Sequence, residues 1–252
     1  MYARRTFIKG AASLPLAAVL ADPTLARAAA QALETVTMTT MGGRSVSAAL
    51  AAPAAAKTPA IMLVHEWWGL NDQIKSVAAE FAKQGYLALA IDLYGGQVAK
   101  TSDQARSLVQ SVQPIVATDT VGSWVGWLRQ HGRGNGRVAT IGWCFGGGWS
   151  LNASLAATVD ATVIYYGNVA KKPQQLKLLK GPVLGHFATR DKWITKQMVE
   201  GFAQAMKASG KSLEQHWYEA DHAFANPTQA RYDAEDAKLA WERTLAFLKK
   251  TL

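Results

Sequence analysis

The sequence predicts an α/β fold in which helices cover both faces of a mostly parallel sheet. Short apolar runs recur along the chain without the polar–apolar alternation of a strand that has one solvated face, so these strands are expected to be buried on both sides. Segments whose apolar residues have helical spacing separate the runs. This strand–helix alternation is typical of a parallel sheet.

The elements follow in a regular order along the chain. The predicted strands are residues 61–64, 86–91, 138–141, 161–166, 182–188 and 213–218. The predicted helices are residues 71–84, 118–130, 146–156, 195–209 and 233–250. The last helix begins with acidic residues and ends with lysines, which complements the helix dipole. The glycine-rich residues 132–136 precede a strand instead of opening a helix, so they predict a turn and not a phosphate cradle.

Residues 1–28 resemble a bacterial twin-arginine signal peptide. Arg4 and Arg5 precede a weakly apolar stretch over residues 11–21, and small residues follow around position 28. The stretch contains Pro15 and is too short to span a bilayer, which argues against the alternative of an anchor helix. We expect transient contact with the export machinery, no stable membrane anchor after cleavage, and a periplasmic protein whose single domain covers residues 33–252.

Charge and cysteine content restrict the function classes. The formal net charge is +9, and it falls to +6 without residues 1–28, which carry four basic side chains and one acidic one. The remaining lysines and arginines are scattered, with neither a basic helix nor an aromatic platform among them, which argues against nucleic-acid binding. A preference for anionic small molecules remains open. One cysteine allows no intramolecular disulfide.

The most informative motif surrounds that single cysteine, Cys144. It directly follows the predicted strand 138–141, and Gly142 and Gly146 lie two residues before and after it. This is the spacing of the Gly-x-Ser-x-Gly turn on which α/β-hydrolases hold their nucleophile, with a thiol in place of the hydroxyl. A small buried thiol without a catalytic role is the alternative. The glycine frame and the partners downstream favour a nucleophile.

A cysteine nucleophile needs a base, and the base needs a carboxylate that orients it. Asp191 follows the predicted strand 182–188, and His222 follows the strand 213–218, which gives the nucleophile–acid–base order of α/β-hydrolases. Asp221 is a rival carboxylate, but it abuts His222 in sequence. Asp191 has an alternative role as a helix cap. His65 and His186 lie at strand ends, where they either pack or line the pocket.

Four segments together resemble the dienelactone hydrolase family. They are residues 64–71 (VHEWWGLN), 92–94 (DLY) and 142–147 (GWCFGG), and Asp191 with residues 222–225 (HAFA). The resemblance runs through nearly the whole chain after residue 28 and implies an α/β-hydrolase fold. It also implies that Cys144 attacks a lactone or ester carbonyl, that a thioester forms, and that His222 activates the water that hydrolyses it. The implied reaction needs no metal or organic cofactor.

The resemblance also assigns roles beside the nucleophile. Glu66 is expected to hydrogen-bond the resting thiol and to help deprotonate it once substrate binds, since only the thiolate attacks. A surface carboxylate is the alternative for this residue. The backbone N–H groups of Trp67 and Phe145 are expected to bind the oxyanion of the tetrahedral intermediate.

The sequence departs from the family where the substrate carboxylate is held. Family members that act on dienelactone use arginines, one of them directly after the His-x-Phe-Ala segment, where this chain has Asn226. Asn226 is a candidate substrate-binding residue that can donate a hydrogen bond but supplies neither the charge nor the bidentate fork of an arginine. Arg106 is the candidate for a second clamp, with a solvated helix residue as its alternative. Arg190 and Lys192 are candidates to replace the missing charge.

Trp68 and Trp193 lie near the catalytic positions in sequence and predict an aromatic pocket wall, with core packing as the alternative. We therefore expect a substrate that is more neutral and bulkier than dienelactone. Two other functions stay open: a general carboxylesterase or thioesterase acting on neutral esters, and a non-catalytic ligand-binding protein with the same fold.

Overall fold

The computed structural model describes residues 22–252, so most of the predicted signal segment lies outside the described residues. Eight strands form one sheet: β1 (Glu34–Thr39), β2 (Ser45–Ala51), β3 (Thr58–Val64), β4 (Leu87–Ile91), β5 (Gly134–Trp143), β6 (Ala161–Tyr165), β7 (Val183–Ala188) and β8 (Leu213–Tyr218). The helices are α1 (Pro23–Gln31), α2 (Asp72–Lys83), α3 (Ser102–Ser111), α4 (Pro114–Gln130), α5 (Phe145–Ala156), α6 (Pro173–Leu176), α7 (Lys196–Ala208) and α8 (Ala234–Thr251).

The sheet has the strand order β1-β2-β4-β3-β5-β6-β7-β8. The pairs β1–β2 and β2–β4 are antiparallel, and every other neighbouring pair is parallel. The predicted mostly parallel sheet is therefore confirmed. Because the parallel strands share one direction, their carboxyl ends meet at the same edge, where open α/β sheets bind ligands.

Both faces of the sheet are covered, which explains why the central strands are continuously apolar. Ile61 and Leu63 of β3 pack in a cluster that contains residues of α2 and α8. Met62 and Val64, which alternate with them, pack on the opposite side with residues of α4 and α5. Successive strand residues point to opposite faces, so a strand covered on both sides needs apolar residues at every position.

Several elements lie where the sequence predicted none: the strands β1 and β2 and the helices α1, α3 and α6. β1 is an edge strand whose residues are mostly exposed, and polar threonines interrupt its apolar pattern. β2 consists largely of serine and alanine, and α3 has only Ala105 buried. Such segments carry little apolar periodicity. The helix predicted over residues 118–130 begins at Pro114, a residue well suited to the first turn.

The predicted signal cleavage position lies within helix α1. Ala26 and Ala30 are buried, and α1 packs against α2. None of the helices within residues 22–252 combines the length and apolarity needed to cross a bilayer. Export and cleavage stay predictions, and the described fold adds that the residues around position 28 contact the domain.

Candidate active site

Cys144 lies at the turn between β5 and α5, in a strained backbone conformation. Its φ is 55° and its ψ is −118°, a region that costs a non-glycine residue about 1–3 kcal/mol. The turn leaves no room for side chains at the flanking glycines. A Cβ on Gly142 would lie 2.0 Å from the carbonyl oxygen of Gly146, and one on Gly146 would lie 2.2 Å from that of Val64. The glycine spacing seen in the sequence is thus a steric requirement of this turn.

Asp191 and His222 form the acid–base pair expected from the sequence. The Nδ1 of His222 lies 2.6 Å from Oδ2 of Asp191, and both residues are buried. The other oxygen, Oδ1, accepts hydrogen bonds from the amides of Trp193 and Ile194 at 2.8 and 3.0 Å. The helix-cap alternative is wrong, because the next helix begins at Lys196 with Thr195 as its N-cap, and Oδ1 of Asp191 instead holds the loop before it. A carboxylate bonded to Nδ1 leaves Nε2 as the nitrogen available for chemistry.

The rival carboxylate, Asp221, points elsewhere. Its Oδ2 lies 3.5 Å from Nε of Arg190, whose Nη1 lies 3.8 Å from Oε1 of Glu219. Lys192 is exposed. Neither Arg190 nor Lys192 lines the cavity described below, so the prediction that they replace the missing clamp is wrong.

His222 holds its proton more tightly than an ordinary histidine. Burial lowers its pKa, but the hydrogen bond to Asp191 and the hydrogen bond and charge of the Cys144 sulfur outweigh burial and raise the pKa to about 10. The pKa of Asp191 is lowered, because its hydrogen bonds from His222 and two amides exceed the effect of burial. Both shifts favour a His222 imidazolium paired with an Asp191 carboxylate.

Two residues that share the cavity with Cys144 have backbone amides without a protein acceptor in the described part of the chain. Within residues 22–252, neither the N–H of Trp67 nor that of Phe145 donates a hydrogen bond to the protein. Phe145 is the first residue of α5, so its amide lies at the positive end of the helix dipole. Both residues line the same cavity as Cys144. Free amides at this position match the donors that an oxyanion needs.

Glu66 is buried but does not make the contact expected with the thiol. Its Oε2 accepts a hydrogen bond from Nδ2 of Asn226 at 2.5 Å, and its Oε1 accepts one from the hydroxyl of Tyr166 at 3.3 Å. Among the described residues no hydrogen bond joins Glu66 to Cys144. Burial raises the pKa of Glu66, and these hydrogen bonds offset that only in part. The physical reason for the difference is that two donors already hold both carboxylate oxygens.

Asn226 was predicted to face the substrate, and this prediction is wrong. The residue is 1% exposed and does not line the cavity. Besides donating to Glu66, it accepts hydrogen bonds from the amide and the hydroxyl of Thr228 at 3.0 and 2.7 Å. Every polar atom of the amide side chain is therefore directed at the protein, and Asn226 acts by holding Glu66.

The other predicted binding residues do line the cavity. Arg106 lies 3.7 Å from the carboxylate of Asp103, with two thirds of its side chain exposed. Trp68 and Trp193 are also lining residues. Trp193 is 59% exposed, and its ring meets that of His222 edge-on with centroids 5.2 Å apart. These tryptophans form a wall of the site and do not belong to the core.

The cavity residues that escaped the sequence argument include Tyr166, Lys171 and Arg231. Tyr166 directly follows β6, at the edge where Cys144 and Asp191 also lie, and its position after a buried parallel strand was a usable signal. Lys171 and Arg231 lie in loops after β6 and β8, and no local pattern distinguishes them from surface cations. Their proximity to the site is a product of the fold.

The two strand-end histidines serve the scaffold. Nε2 of His65 accepts from the amide of Leu93 at 3.2 Å, and Nδ1 lies 2.6 Å from the carbonyl of Glu66, so this imidazole is neutral with its proton on Nδ1. Burial lowers its pKa, in agreement. His186 is buried in β7, where Nδ1 bonds the hydroxyl of Tyr218 at 2.8 Å. Neither histidine lines the cavity, so the packing alternative is the correct one.

The site opens into a cavity of about 1080 Å³. Its charged lining residues are Glu66, Arg106, Lys171 and Arg231, to which His222 adds a titratable imidazole. Its aromatic lining residues are Trp67, Trp68, Phe145, Trp149, Tyr166 and Trp193. Cations outnumber carboxylates in this wall, which does not favour the expected substrate, one more neutral than dienelactone.

The eight-stranded, mostly parallel sheet and the strand–turn–helix that carries Cys144 have the architecture of the α/β-hydrolase superfamily. Residues 46–252 match the model of the dienelactone hydrolase family, and the chain belongs to that family. Two relatives named carboxymethylenebutenolidase illustrate the similarity. That of Pseudomonas putida is 29% identical over 230 residues, covering 85% of this chain and 95% of its own. That of Pseudomonas sp. strain P51 is 28% identical over 225 residues, covering 83% and 92%.

A solved structure supports the same family. The crystal structure of a Klebsiella pneumoniae protein, provisionally named a dienelactone hydrolase, is 28% identical and superposes with a TM-score of 0.75. The match covers 86% of this chain and 99% of that one. The family resemblance stated from four short segments is thus confirmed over most of the chain, and the chain is a dienelactone hydrolase-like hydrolase.

Proposed function

We propose that the protein hydrolyses a lactone or carboxylic ester through Cys144, His222 and Asp191, with a thioester intermediate. The observation that carries the proposal is the 2.6 Å contact between Asp191 and His222 beside the only cysteine of the chain, which itself lies on a strained turn. A non-catalytic ligand-binding protein would need neither the strained backbone at Cys144 nor the aligned Asp191–His222 pair.

Attack begins at the sulfur. The Cys144 thiolate bonds to the carbonyl carbon, and the electron pair of the carbonyl moves to its oxygen, which the N–H groups of Trp67 and Phe145 stabilise. The intermediate collapses, the carbon–oxygen bond breaks, and the imidazolium of His222 gives its Nε2 proton to the leaving oxygen. An alcohol, or the ring-opened hydroxyl of a lactone, is released from the carbonyl, and a thioester remains on Cys144.

Water completes the cycle. Neutral His222 removes a proton from water as the oxygen attacks the thioester, and the resulting imidazolium pairs again with the departing thiolate. Asp191 stabilises the imidazolium in both halves and keeps its proton-bearing Nδ1 fixed. Glu66, held by Asn226 and Tyr166, adds a buried carboxyl beside the pair instead of bonding the resting thiol.

The charge of the lining favours an ester or lactone that carries an acid group. Arg106 and Arg231 both face the cavity, and either can bind a carboxylate in a bidentate way. A neutral-ester carboxylesterase is the second candidate, and the aromatic residues Trp67, Trp68 and Trp193 favour it. The ratio of kcat/KM for a dienelactone carboxylate and its methyl ester separates the two.

The decisive test is to trap the acyl-enzyme. We expect mass spectrometry of the protein mixed briefly with an activated ester to show an acyl adduct that maps to Cys144. Cys144→Ala is expected to form no adduct and to lose turnover, while Cys144→Ser loses most activity, because the site is arranged for a thiol of much lower pKa than a hydroxyl. Full activity of Cys144→Ser would refute the thiolate mechanism.

We also propose export to the periplasm through residues 1–28. The support is the Arg4–Arg5 pair and the small residues near position 28. Replacing both arginines by lysine is expected to leave the protein in the cytoplasm, and sequencing the amino terminus of the periplasmic form would locate the cleavage. A protein found in the periplasm independently of both arginines would contradict this route.

A further inference from the structure

We infer that one arm of the cavity follows helix α5 away from Cys144. In this arm Lys171 binds a carboxylate at the far end of the substrate's acyl chain. This inference rests on the proposed ester hydrolysis at Cys144 and adds the class of substrate: long esters of dicarboxylic acids. Three observations carry it: the length of the cavity, the half-buried Lys171 that has no partner within residues 22–252, and the side of Cys144 on which the acyl group must lie.

The cavity follows helix α5 away from the nucleophile. The helix residues that line it recur at helical spacing and cover one face of α5 from its first residue to its last: Phe145, Gly148, Trp149, Asn152, Leu155 and Ala156. At 1.5 Å per residue, this face is about 16 Å long. Such a length exceeds what a small lactone requires.

The loop after β6 forms the opposite wall of this arm. Asn168 lies beside Gly148, since a Cβ on that glycine would come within 3.4 Å of the Asn168 carbonyl oxygen. From there the wall continues through Ala170 and Lys171 to Gln175 of α6. The arm therefore has an apolar floor near Leu155 and a polar, cationic rim.

Lys171 differs from the other two cations of the cavity. Arg106 has the carboxylate of Asp103 at 3.7 Å, and Arg231 lies over the ring of Trp193 at 5.3 Å. Lys171 makes neither a salt bridge nor a hydrogen bond within residues 22–252, although it is half-buried and burial lowers its pKa. A partly desolvated ammonium without an anionic partner gains most from a ligand that brings one.

The chemistry of the site assigns this arm to the acyl group. His222 must protonate the leaving oxygen, so the leaving group lies on the side of His222, next to Trp193 and Arg231. The acyl group stays bonded to Cys144, which immediately precedes α5. The acyl chain therefore extends along α5, and a carboxylate at its end can reach Lys171.

Paired substrates test this arm. One series consists of mono-para-nitrophenyl esters of linear dicarboxylic acids from glutaric to dodecanedioic acid, and the other of para-nitrophenyl esters of monocarboxylic acids with the same chain lengths. We expect the ratio of kcat/KM, acid-ended over neutral, to rise to a maximum at one chain length. In Lys171→Met this ratio falls about tenfold at that length, and in Lys171→Glu the neutral ester becomes the better substrate.

Lys172→Met is the matched control, because Lys172 is the exposed neighbour and does not line the cavity. It should keep the wild-type ratio. The inference would be overturned if the wild-type enzyme showed no preference for acid-ended chains, or if both methionine variants lowered the kcat/KM ratio equally. Either result would leave the proposed hydrolysis at Cys144 intact. No Cys144-dependent turnover of either series would instead overturn the proposed function, and this inference with it.

Discussion

Gly146→Ala tests how far the nucleophile turn depends on contact between two backbones. The added Cβ would lie 2.2 Å from the carbonyl oxygen of Val64 and 2.4 Å from that of His65. Ordinary contacts begin at 3.4 Å, so α5 must move away from β3 by about 1 Å. Overpacking against side chains costs about 1–3 kcal/mol, and two rigid carbonyls cannot rotate aside. We expect the free energy of unfolding to fall by at least about 3 kcal/mol.

Gly148→Ala is the control for stability, since it lies in the same helix two residues later. Its Cβ would meet no atom closer than 3.4 Å, and alanine favours a helix over glycine by up to about 1 kcal/mol. The two variants should therefore differ by about 4 kcal/mol. Urea unfolding followed by tryptophan fluorescence measures the difference through the midpoint, provided that the m-value is unchanged. Equal stability of the two variants would refute the close-packing argument.

Three further predictions concern the buried polar contacts. Asp191→Asn should lower kcat by about a thousandfold or more, because the amide no longer fixes the His222 tautomer. Since Asp191 helps to raise the pKa of His222 to about 10, the alkaline fall of kcat/KM should also begin at lower pH in this variant; identical pH–rate profiles would contradict the assignment. Asn226→Leu removes the shortest hydrogen bond of Glu66 and should cost about 1–3 kcal/mol in urea unfolding, whereas Thr228→Val, which leaves that bond in place, should cost less. His65→Leu strands the Leu93 amide and the Glu66 carbonyl, so we expect a loss of about 2–4 kcal/mol; an unchanged unfolding midpoint would show that the imidazole does not bridge them.

The candidate site residues were predictable because their signals are local. The steric demands of one turn require Gly142 and Gly146 on either side of Cys144. That turn needs only a strand before it and a helix after it. Asp191 follows β7 by three residues and His222 follows β8 by four, and the two strands are parallel neighbours in the sheet. Carboxyl ends of parallel strands meet at one edge whatever the order of the strands, so these residues converge without knowledge of the topology.

The partners of Glu66 were not predictable in the same way. The sequence placed Asn226 at a position where relatives have an arginine, and its direction could not be deduced from that. The chain turns after His222 through Ala223, whose φ is 68°, and this brings the Asn226 amide under the sheet edge toward Glu66. A one-residue difference in such a turn reverses the direction of a side chain, and only the packed structure fixes it.

Hydrophobic periodicity and glycine sterics act over a few neighbouring positions, so the fold class and the glycine-flanked turn at Cys144 could be predicted from local patterns. The surroundings of this turn depend on long-range packing: Tyr166 and Asn226 hold Glu66, Arg190 turns away from the site, and Lys171 lines the cavity. Those contacts join residues as much as 160 positions apart. Their geometry depends on how strands and helices pack together, which no local pattern of residues encodes.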